Sequence, residues 1–308
     1  MRKISYPVLA LIVANVIWGA SFPILKLALT NIPPFSFAFI RFLIASLILY
    51  PFAHKATAYS DLKNKWLWLY AFCGITINIM FFYLALEKTT SISATIIAST
   101  APVMVLIGSA LFLREHFQHR VVFWVTMALV GALTIIFQPM MKEGLGGELF
   151  GNLMMILATL GAVCSTIFGR KFLTPVNALG ATFWACTIGC LSFLPLAWRE
   201  FVKDPTWFAS LNLNGWTGIA YASIFSTVIA YTAYDWALSK LQAHKTSVFT
   251  YLDPVATVVI AVPLLGEKIT LPFVFGSLLI FVGILIAEKR LSWHPLQHLF
   301  ESDRIQKS

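Results

Sequence analysis

Three ionisable side chains interrupt long apolar stretches of the sequence and are the first candidates for chemistry. They are Arg41, Asp235 and Asp253, and mostly apolar or aromatic residues flank each of them. If these stretches cross a lipid bilayer, a charged side chain near its centre costs about 2.5 to 3.5 kcal/mol on insertion scales. A charge in that position usually faces a cavity or a partner of opposite charge. Each of the three is therefore a candidate site residue.

The guanidinium of Arg41 is suited to binding an anion. Its planar donors match the two oxygens of a carboxylate, which predicts contact with a substrate carboxylate. The alternative is a structural role, in which Arg41 reaches the membrane interface or braces the fold through helix carbonyls. The sequence leaves both roles open.

The two acids differ in their neighbours. Asp253 stands directly before Pro254, where its carboxylate could cap free backbone amides, pair with Arg41, or bind a proton or a substrate ammonium group. Asp235 lies near the predicted end of a span and close to Lys240, so we expect it at the membrane interface, screened by that lysine. Asp253 is thus the candidate for proton coupling.

Uncharged polar and aromatic side chains in the same stretches could complete a binding site. Amide and hydroxyl groups would hold the ends of a zwitterion, and aromatic rings would hold an apolar body. The alternative is structural, because Trp and Tyr favour the headgroup region and small polar residues join helices. With Arg41, the predicted substrate-binding residues are Asn15, Trp18, Asn78, Tyr83, Trp184, Tyr234 and Tyr251.

The sequence pattern does not indicate catalysis or a metal site. No histidine lies deep in a predicted span, and the cysteines at 73, 164, 186 and 190 fall in predicted helices as small apolar residues. His116 and His119 stand three positions apart without further ligands, and no HExxH pattern occurs. We therefore predict no metal, no cofactor and no enzymatic activity.

The elements that must position these residues are membrane-spanning helices. Of 308 residues, 59% are hydrophobic and 11% charged, and the mean hydropathy is +0.81, which is too apolar for a soluble protein of this length. The linkers are too short to hold a catalytic or nucleotide-binding domain. Uncharged apolar length predicts ten spans, at 7–26, 35–53, 66–86, 91–113, 120–137, 149–169, 176–198, 215–238, 245–265 and 271–288.

The distribution of positive charge predicts the orientation. With the N-terminus inside the cell, tails and inner loops hold fifteen Lys and Arg residues and outer loops hold six, and positive loops stay cytoplasmic. Both termini are therefore expected in the cytoplasm, with the chain in the inner (plasma) membrane. The formal net charge of +9 reflects this rule, so we expect the lipid bilayer as a partner and no nucleic acid.

The sequence contains an internal repeat. Shifting it by 152 positions aligns Pro102 with Pro254 and Glu115 with Glu267. A proline within a helix kinks it and frees carbonyls that can line a cavity, so the two prolines are predicted hinges. Each glutamate ends a span and is predicted to tie its loop by bonding to free amides of the following helix.

The repeat divides the chain into a first unit at 1–146, a second at 147–290 and a cytoplasmic tail at 291–308. Each unit holds five spans, an odd number, so the two enter the membrane from opposite sides. Inverted repeats of this kind are typical of secondary transporters. The predicted fold is an all-α membrane protein of ten helices in two inverted five-helix repeats.

The sequence resembles the EamA-type members of the drug/metabolite transporter superfamily. The resemblance rests on WGASFPILK (18–26), PFSFAFIRF (34–42) and two proline-headed helices that end in Leu-x-Glu or Leu-Gly-Glu. It implies a ten-helix inverted repeat that moves amino acids and other small metabolites, mostly outward. It also implies an acid, usually Glu, at the position of Asp253, and it allows monomers as well as a homodimer.

The leading hypothesis is a secondary transporter that exports amino acids or related small metabolites by alternating access. One alternative is uptake or exchange of a nucleotide-derived metabolite such as S-adenosylmethionine. An alternative of another class is a membrane-embedded enzyme or the permease subunit of an ATP-driven importer. The sequence does not choose the substrate or the direction.

Overall fold

The protein is described by a computed structural model at residues 6–53, 62–113, 147–174 and 178–271, with further positions between 127 and 134 and between 274 and 282. Every regular element in this part of the chain is helical. Only scattered positions of the predicted spans 120–137 and 271–288 are described. The other eight predicted spans each coincide with a described helix or with a pair of helices.

Ten helices position the residues of interest. They are α1 (Tyr6–Leu29), α2 (Pro34–Ala53), α3 (Lys65–Leu86), α4 (Ser91–Ala98), α5 (Ala101–Leu113), α6 (Gly147–Phe172), α7 (Ala178–Lys203), α8 (213–240), α9 (Ala243–Ser247) and α10 (Leu252–Leu265).

Within the described residues, six helices are long and apolar enough to cross a membrane. They are α1, α2, α3, α6, α7 and the segment Ser91–Gly108, which joins α4 to part of α5. Their apolar composition follows from the solvent, because a helix satisfies its own backbone hydrogen bonds and needs no water inside a bilayer. The described part of the chain is therefore that of a multi-pass membrane protein.

Polar residues mark where several helices begin and end. The side chains of Asn64, Thr90 and Asn212 accept hydrogen bonds from the first amides of α3, α4 and α8, as expected for N-caps. At the other end of α10, Gly266 has a φ of 64°. This left-handed conformation suits glycine and stops the helix.

Two long helices contain π-helical turns. In α3 the π segment is Phe72–Ile77, and in α8 it is Tyr221–Ile229. The 152-position shift places residues 72–77 on 224–229, inside the second π segment. π turns are rare and occur frequently at functional sites, so their matched positions direct attention to the space between α3 and α8.

Two spans are also broken at matching places. The chain leaves α4 at Ser99–Thr100 before α5 begins, and the 3₁₀ segment Val248–Tyr251 separates α9 from α10. The same shift places 248–251 on 96–99. Irregular backbone at membrane depth is tolerated where it is buried in protein or lines a cavity.

Close helix contacts hold the bundle together. α2 packs along α7, where the rings of Phe42 and Phe193 stack with centroids 6.0 Å apart, and α3 packs along α6. α1 packs on α10 at Gly19, where an added Cβ would lie 2.5 Å from the carbonyl oxygen of Asp253. Only glycine allows this approach, which brings the backbone of α10 beside α1.

The bundle has two distinguishable ends. At the first, which we call the Glu267 end, Glu267 contacts the start of α4 and Glu200 contacts the start of α2. At the second, the Lys240 end, Arg170 donates to the carbonyl of Ser239 at 3.4 Å. The Lys240 end carries six basic residues among the described positions, namely Lys63, Lys65, Arg170, Lys171, Lys240 and Lys245.

Candidate functional site

A cavity of about 170 Å³ lies inside the bundle. Helices α1, α2, α3, α4, α5, α6, α8, α9 and α10 contribute to its wall, together with the 3₁₀ segment before α10. The wall is mostly apolar and has a few convergent polar groups, which is the usual make-up of a site for a small molecule. Three of the polar groups are the ionisable residues singled out by the sequence, Arg41, Asp235 and Asp253.

Arg41 is held in place by hydroxyl groups. Its Nε donates to Thr227 Oγ1 at 2.6 Å, one terminal nitrogen donates to Tyr83 OH at 3.2 Å, and the other donates to Ser226 Oγ at 3.1 Å. The residue is only 2% exposed. Among the described residues no carboxylate lies within ion-pairing distance of it. A buried guanidinium without a counter-ion is a suitable place for an anion to bind.

The π turn of α8 explains these contacts. Thr227 donates its hydroxyl to the carbonyl of Ala222, five residues earlier, at 2.7 Å, which is the spacing of a π turn. The carbonyl of Ser226 accepts from Trp18 Nε1 at 3.0 Å. The irregular turn thus offers backbone and hydroxyl groups that hold both Arg41 and Trp18.

Asp253 lies on the cavity wall, and its carboxylate forms no ion pair with a described residue. It is 5% exposed, and its Oδ1 accepts no hydrogen bond in the described part of the chain. The N-cap of α10 is Tyr251, which makes no side-chain capping bond, so Asp253 does not cap the helix as one interpretation of the sequence suggested. It forms no ion pair with Arg41 either. Its carboxylate is therefore free to bind a ligand or a proton.

Asp235 is not at the membrane interface, and that expectation is wrong. The residue is 1% exposed, and its Oδ2 accepts hydrogen bonds from Tyr70 OH and from Thr182 Oγ1, the latter at 2.7 Å. Lys240 does not screen it, because Nζ of that lysine lies 4.2 Å above the ring of Trp236. Asp235 is a second buried carboxyl group on the cavity wall.

Three aromatic side chains form one part of the wall. The ring of Trp18 lies 5.2 Å from that of Tyr231 and 5.1 Å from that of Tyr234, measured between centroids. Tyr234 OH lies 3.2 Å from Thr166 Oγ1. Asn78 also lines the cavity and donates to the carbonyl of Ala158 at 2.8 Å. Trp18, Asn78 and Tyr234 were predicted from the sequence.

Four other predicted residues do not line the cavity. Asn15 donates to its own helix at Leu11, and Tyr83 contributes indirectly, because it holds Arg41. The ring of Trp184 packs on Phe183, and the ring of Tyr251 packs on Phe281. A sequence shows that a polar residue lies in a span, but not which side of the helix faces the cavity.

The two prolines lie elsewhere in their helices than predicted. Pro102 is the second residue of α5 and Pro254 the third residue of α10. Proline is tolerated in a first turn, because the missing amide would have no helical partner there. The breaks therefore come before the prolines, and Ala98, Ala101 and Asp253 line the cavity beside them. The hinge role of both prolines stays a prediction.

Glu267 does tie a helix, but a different one from that predicted. Its carboxylate accepts from the amides of Ser91 and Ile92 at the start of α4, which lies in the other half of the chain. Glu200 does the same for Phe35 and Ser36 at the start of α2. The equivalent Glu115 lies outside the described residues.

Sequence reasoning missed several residues that matter to the site. Tyr70 and Thr182 hold Asp235, while Ser226 and Thr227 hold Arg41. Hydroxyl residues are common in membrane helices as structural contacts, so composition does not single these out. In the described residues, no group of three or more His, Cys, Asp or Glu side chains is arranged to hold a metal ion.

Comparison with known proteins gives relatives of one kind. An uncharacterized transporter of Archaeoglobus fulgidus is 29% identical over 89% of this chain and 95% of its own length. The uncharacterized transporter YetK of Bacillus subtilis is 25% identical, with shares of 90% and 85%. The uncharacterized inner membrane transporter YedA of Escherichia coli is 22% identical, with shares of 90% and 89%.

A solved crystal structure is similar with a TM-score of 0.66 and 18% sequence identity, and the match covers 95% of this chain and all of the other. At this identity the likeness concerns the fold alone. The sequence model of the EamA-like transporter family matches residues 5–137 and 149–288. Together with the transporter names of the relatives, this match indicates transport and not catalysis. The chain belongs to the EamA-like transporter family.

Proposed function

We propose that this protein is a secondary transporter that exports amino acids or related small zwitterionic metabolites by alternating access. The observation that carries the proposal is that two oppositely charged groups, Arg41 and Asp253, lie on one cavity and that neither forms an ion pair with a described residue. Both belong to spans of a transporter-family chain, and both are almost fully buried. A buried charge usually marks a substrate or ion pathway.

Arg41 has capacity left for a carboxylate. A guanidinium has five N–H donors, and three bonds to hydroxyl groups leave two donors for a ligand. The hydroxyl groups fix the direction of the side chain, so little entropy is lost when a carboxylate binds. Bracing and substrate contact, which the sequence presented as alternatives, are therefore compatible in one residue.

Asp253 is suited to the other end of a zwitterion. A substrate ammonium group would give the unpartnered Oδ1 the donor that it lacks in the described structure. Asp253 and Arg41 do not form an ion pair with each other. No bond between them therefore has to be broken before a ligand binds. Binding a proton at Asp253 instead of the ammonium group would couple export to a proton gradient.

The cavity wall supports alternating access through two related halves. The 152-position shift relates Ala98 to Thr250 and Ala101 to Asp253, and all four line the cavity. An in-plane axis that relates inverted repeats would bring equivalent positions to one central site. The matched π turns and helix breaks agree with this arrangement, as do the two family matches, which follow the proposed units 1–146 and 147–290.

The distribution of Lys and Arg supports the proposed orientation of the chain, and the name of a relative supports its proposed location. Over the whole sequence, the predicted inner loops and tails hold fifteen Lys and Arg residues and the outer loops hold six, which supports a cytoplasmic position for the Lys240 end and for both termini. A relative is named as an inner membrane transporter, so we place this chain in the inner membrane of the cell.

Uptake or exchange of a nucleotide-derived metabolite is the second candidate. It is favoured by the aromatic group of Trp18, Tyr231 and Tyr234, whose rings could stack with a heterocyclic base. Such a ligand also carries an amino acid head when it is S-adenosylmethionine, so the two candidates share Arg41 and Asp253.

Counterflow in proteoliposomes tests the proposal. Vesicles that contain the purified protein are loaded with one unlabelled compound and diluted into a labelled compound, and accumulation of label identifies a substrate. We expect accumulation with at least one amino acid and a loss of more than tenfold for Arg41→Ala. Accumulation only with S-adenosylmethionine would favour the second candidate, and transport unaffected by Arg41→Ala would contradict the assigned site.

A further inference from the structure

The polar groups of the cavity lie at one level of the bundle. Trp18 Nε1 and Arg41 both bond to Ser226, through its carbonyl and its hydroxyl group. Gly19, the next residue after Trp18, touches the backbone of Asp253. Direct contacts therefore place Trp18, the Arg41 guanidinium, Ser226 and Asp253 side by side across the bundle, and this level is where a zwitterionic head would bind.

Above this level, toward the Glu267 end, the wall becomes mostly apolar. Ser21 and Thr159 also line the cavity there, and their hydroxyl groups donate to carbonyls of their own helices, at Ile17 and Met155. Phe22 and Leu25 follow Gly19 along α1 by three and six residues, about 4.5 and 9 Å at 1.5 Å per residue. The ring of Phe22 meets that of Phe82 on α3 with centroids 5.1 Å apart. On α6 the lining residue nearest the Glu267 end is Met155. Ala98 on α4 lies at the head level instead, because Thr95, one turn before it, bonds to Thr257, which bonds to the carbonyl of Gly19.

The residues above the head level form what we call the apolar lobe, defined as Phe22, Leu25, Ile79, Phe82 and Met155. No side chain of the lobe carries a hydrogen-bond donor. The polar wall lies on the other side of the head level, where Tyr70, Asp235 and Thr166 line the cavity toward the Lys240 end. The cavity is therefore amphipathic along the axis of the bundle.

The internal repeat strengthens this contrast. Ile79 and Phe82 of the lobe correspond to Tyr231 and Tyr234 after the 152-position shift, and Ala98 corresponds to Thr250. All six positions line the cavity, and in each pair the first-half residue lacks a hydroxyl group that the second-half residue has. The two halves thus offer walls of similar position and different chemistry.

We infer that the apolar lobe receives the side chain of the substrate, so that the preferred substrates are amino acids with apolar side chains. This inference rests on the proposed function. A polar or charged side chain would lose its water in the lobe and find no hydrogen-bond partner there. An apolar side chain gains from burial, and each methylene in such a pocket changes selectivity by about tenfold or more.

Competition in the counterflow assay tests the inference. Unlabelled alanine, leucine, phenylalanine, serine, glutamine and lysine compete with the labelled substrate, and we expect leucine and phenylalanine to compete at least tenfold better than serine, glutamine or lysine. Equal competition by serine and leucine would contradict the inferred role of the apolar lobe, but it would not contradict the proposed transport of amino acids. A protein that exchanges no amino acid would overturn the proposed function and the lobe together.

Two substitutions of opposite effect locate the selectivity. Ile79→Phe narrows the lobe and should lower the ratio of phenylalanine to alanine competition by about tenfold, while Ile79→Ala widens the lobe and should raise that ratio. The ratio is independent of the amount of folded protein, so partial misfolding does not imitate the result. Val255→Ala, at a side chain that is 62% exposed on α10, is the control. An unchanged ratio in both lobe variants would contradict the inference.

Discussion

The carboxylate of Glu267 accepts a hydrogen bond from the backbone amide of Ser91 at 2.7 Å, across 176 positions of sequence. It also accepts from Ile92 at 2.9 Å. Lys26 of α1 lies 3.8 Å from the same carboxylate and donates to the carbonyl of Thr89. One acid thus joins α1, α4 and the end of α10 at one end of the bundle, next to the broken helices that line the cavity.

We expect Glu267→Ala to loosen this end. The substitution removes the acceptor for two helix amides, which costs about 0.5 to 2 kcal/mol for a helix N-terminus, and it separates three elements that cover the apolar lobe. A cysteine placed at Leu25, with the native cysteines replaced, should then react faster with a membrane-impermeant maleimide. The measurement is the labelling rate of the protein in proteoliposomes.

Glu200→Ala is the matched comparison, because Glu200 bonds to the start of α2 in the same manner. It should lower thermal stability to a similar extent and leave the labelling rate at position 25 unchanged. Equal acceleration by both substitutions would show general loosening and not a contact that closes one end.

How far the sequence predicts this structure depends on the range of the interactions. Apolar length predicted the membrane-spanning class and the approximate bounds of helices such as α1 and α2, because each helix satisfies its own backbone in a bilayer. Which face of a helix meets the cavity depends on distant partners. Trp18 and Asn15 stand three residues apart on α1, yet only Trp18 lines the cavity.

Asp235 shows most clearly what could not be predicted from the sequence. Its sequence neighbours indicated an interfacial residue, whereas its partners Tyr70 and Thr182 come from helices 165 and 53 positions away. The prediction for Glu267 was right only in part, for the same reason. The sequence predicted that it would bond to helix amides, but the helix that receives it belongs to the other half of the chain.

Arg41 should discriminate between carboxylate and carboxamide substrates. Arg41→Lys keeps the charge but cannot hold Thr227, Tyr83 and Ser226 together while presenting paired donors. We expect the preference for leucine over leucinamide, measured by competition, to fall at least tenfold. Tyr83→Phe removes a single hydrogen bond at 3.2 Å and should cost about 1 kcal/mol of stability with the preference retained. If the Arg41→Lys variant keeps the full preference for leucine over leucinamide, Arg41 has a structural role only.

Asp253 should carry the coupling to protons. In Asp253→Asn the side chain can no longer gain or lose a proton, so we expect transport to become independent of a pH gradient. Exchange of substrate should continue at a lower affinity, because asparagine lacks the charge that would hold the ammonium group. Net transport is measured in proteoliposomes with and without an imposed gradient. Asp235→Asn is the control, since the amide oxygen can still accept from Tyr70 and Thr182. Gradient dependence that survives in Asp253→Asn, or that is lost only in Asp235→Asn, would contradict the assignment.

The contact between α1 and α10 should depend on Gly19. An added Cβ would lie 2.5 Å from the carbonyl oxygen of Asp253 and 2.8 Å from Cβ of Ala256, and neither is the end of a flexible side chain. Gly19→Ala should therefore force the helices apart and cost about 1 to 3 kcal/mol, seen as a lower midpoint of thermal unfolding in detergent. Gly147, at the start of α6, has no atom within 4 Å of an added Cβ, so Gly147→Ala should leave the midpoint unchanged or raise it slightly. Because the backbone of Asp253 is the group displaced, Gly19→Ala should also weaken substrate binding, and a variant with lower stability but full affinity would show that α10 can shift without moving the site.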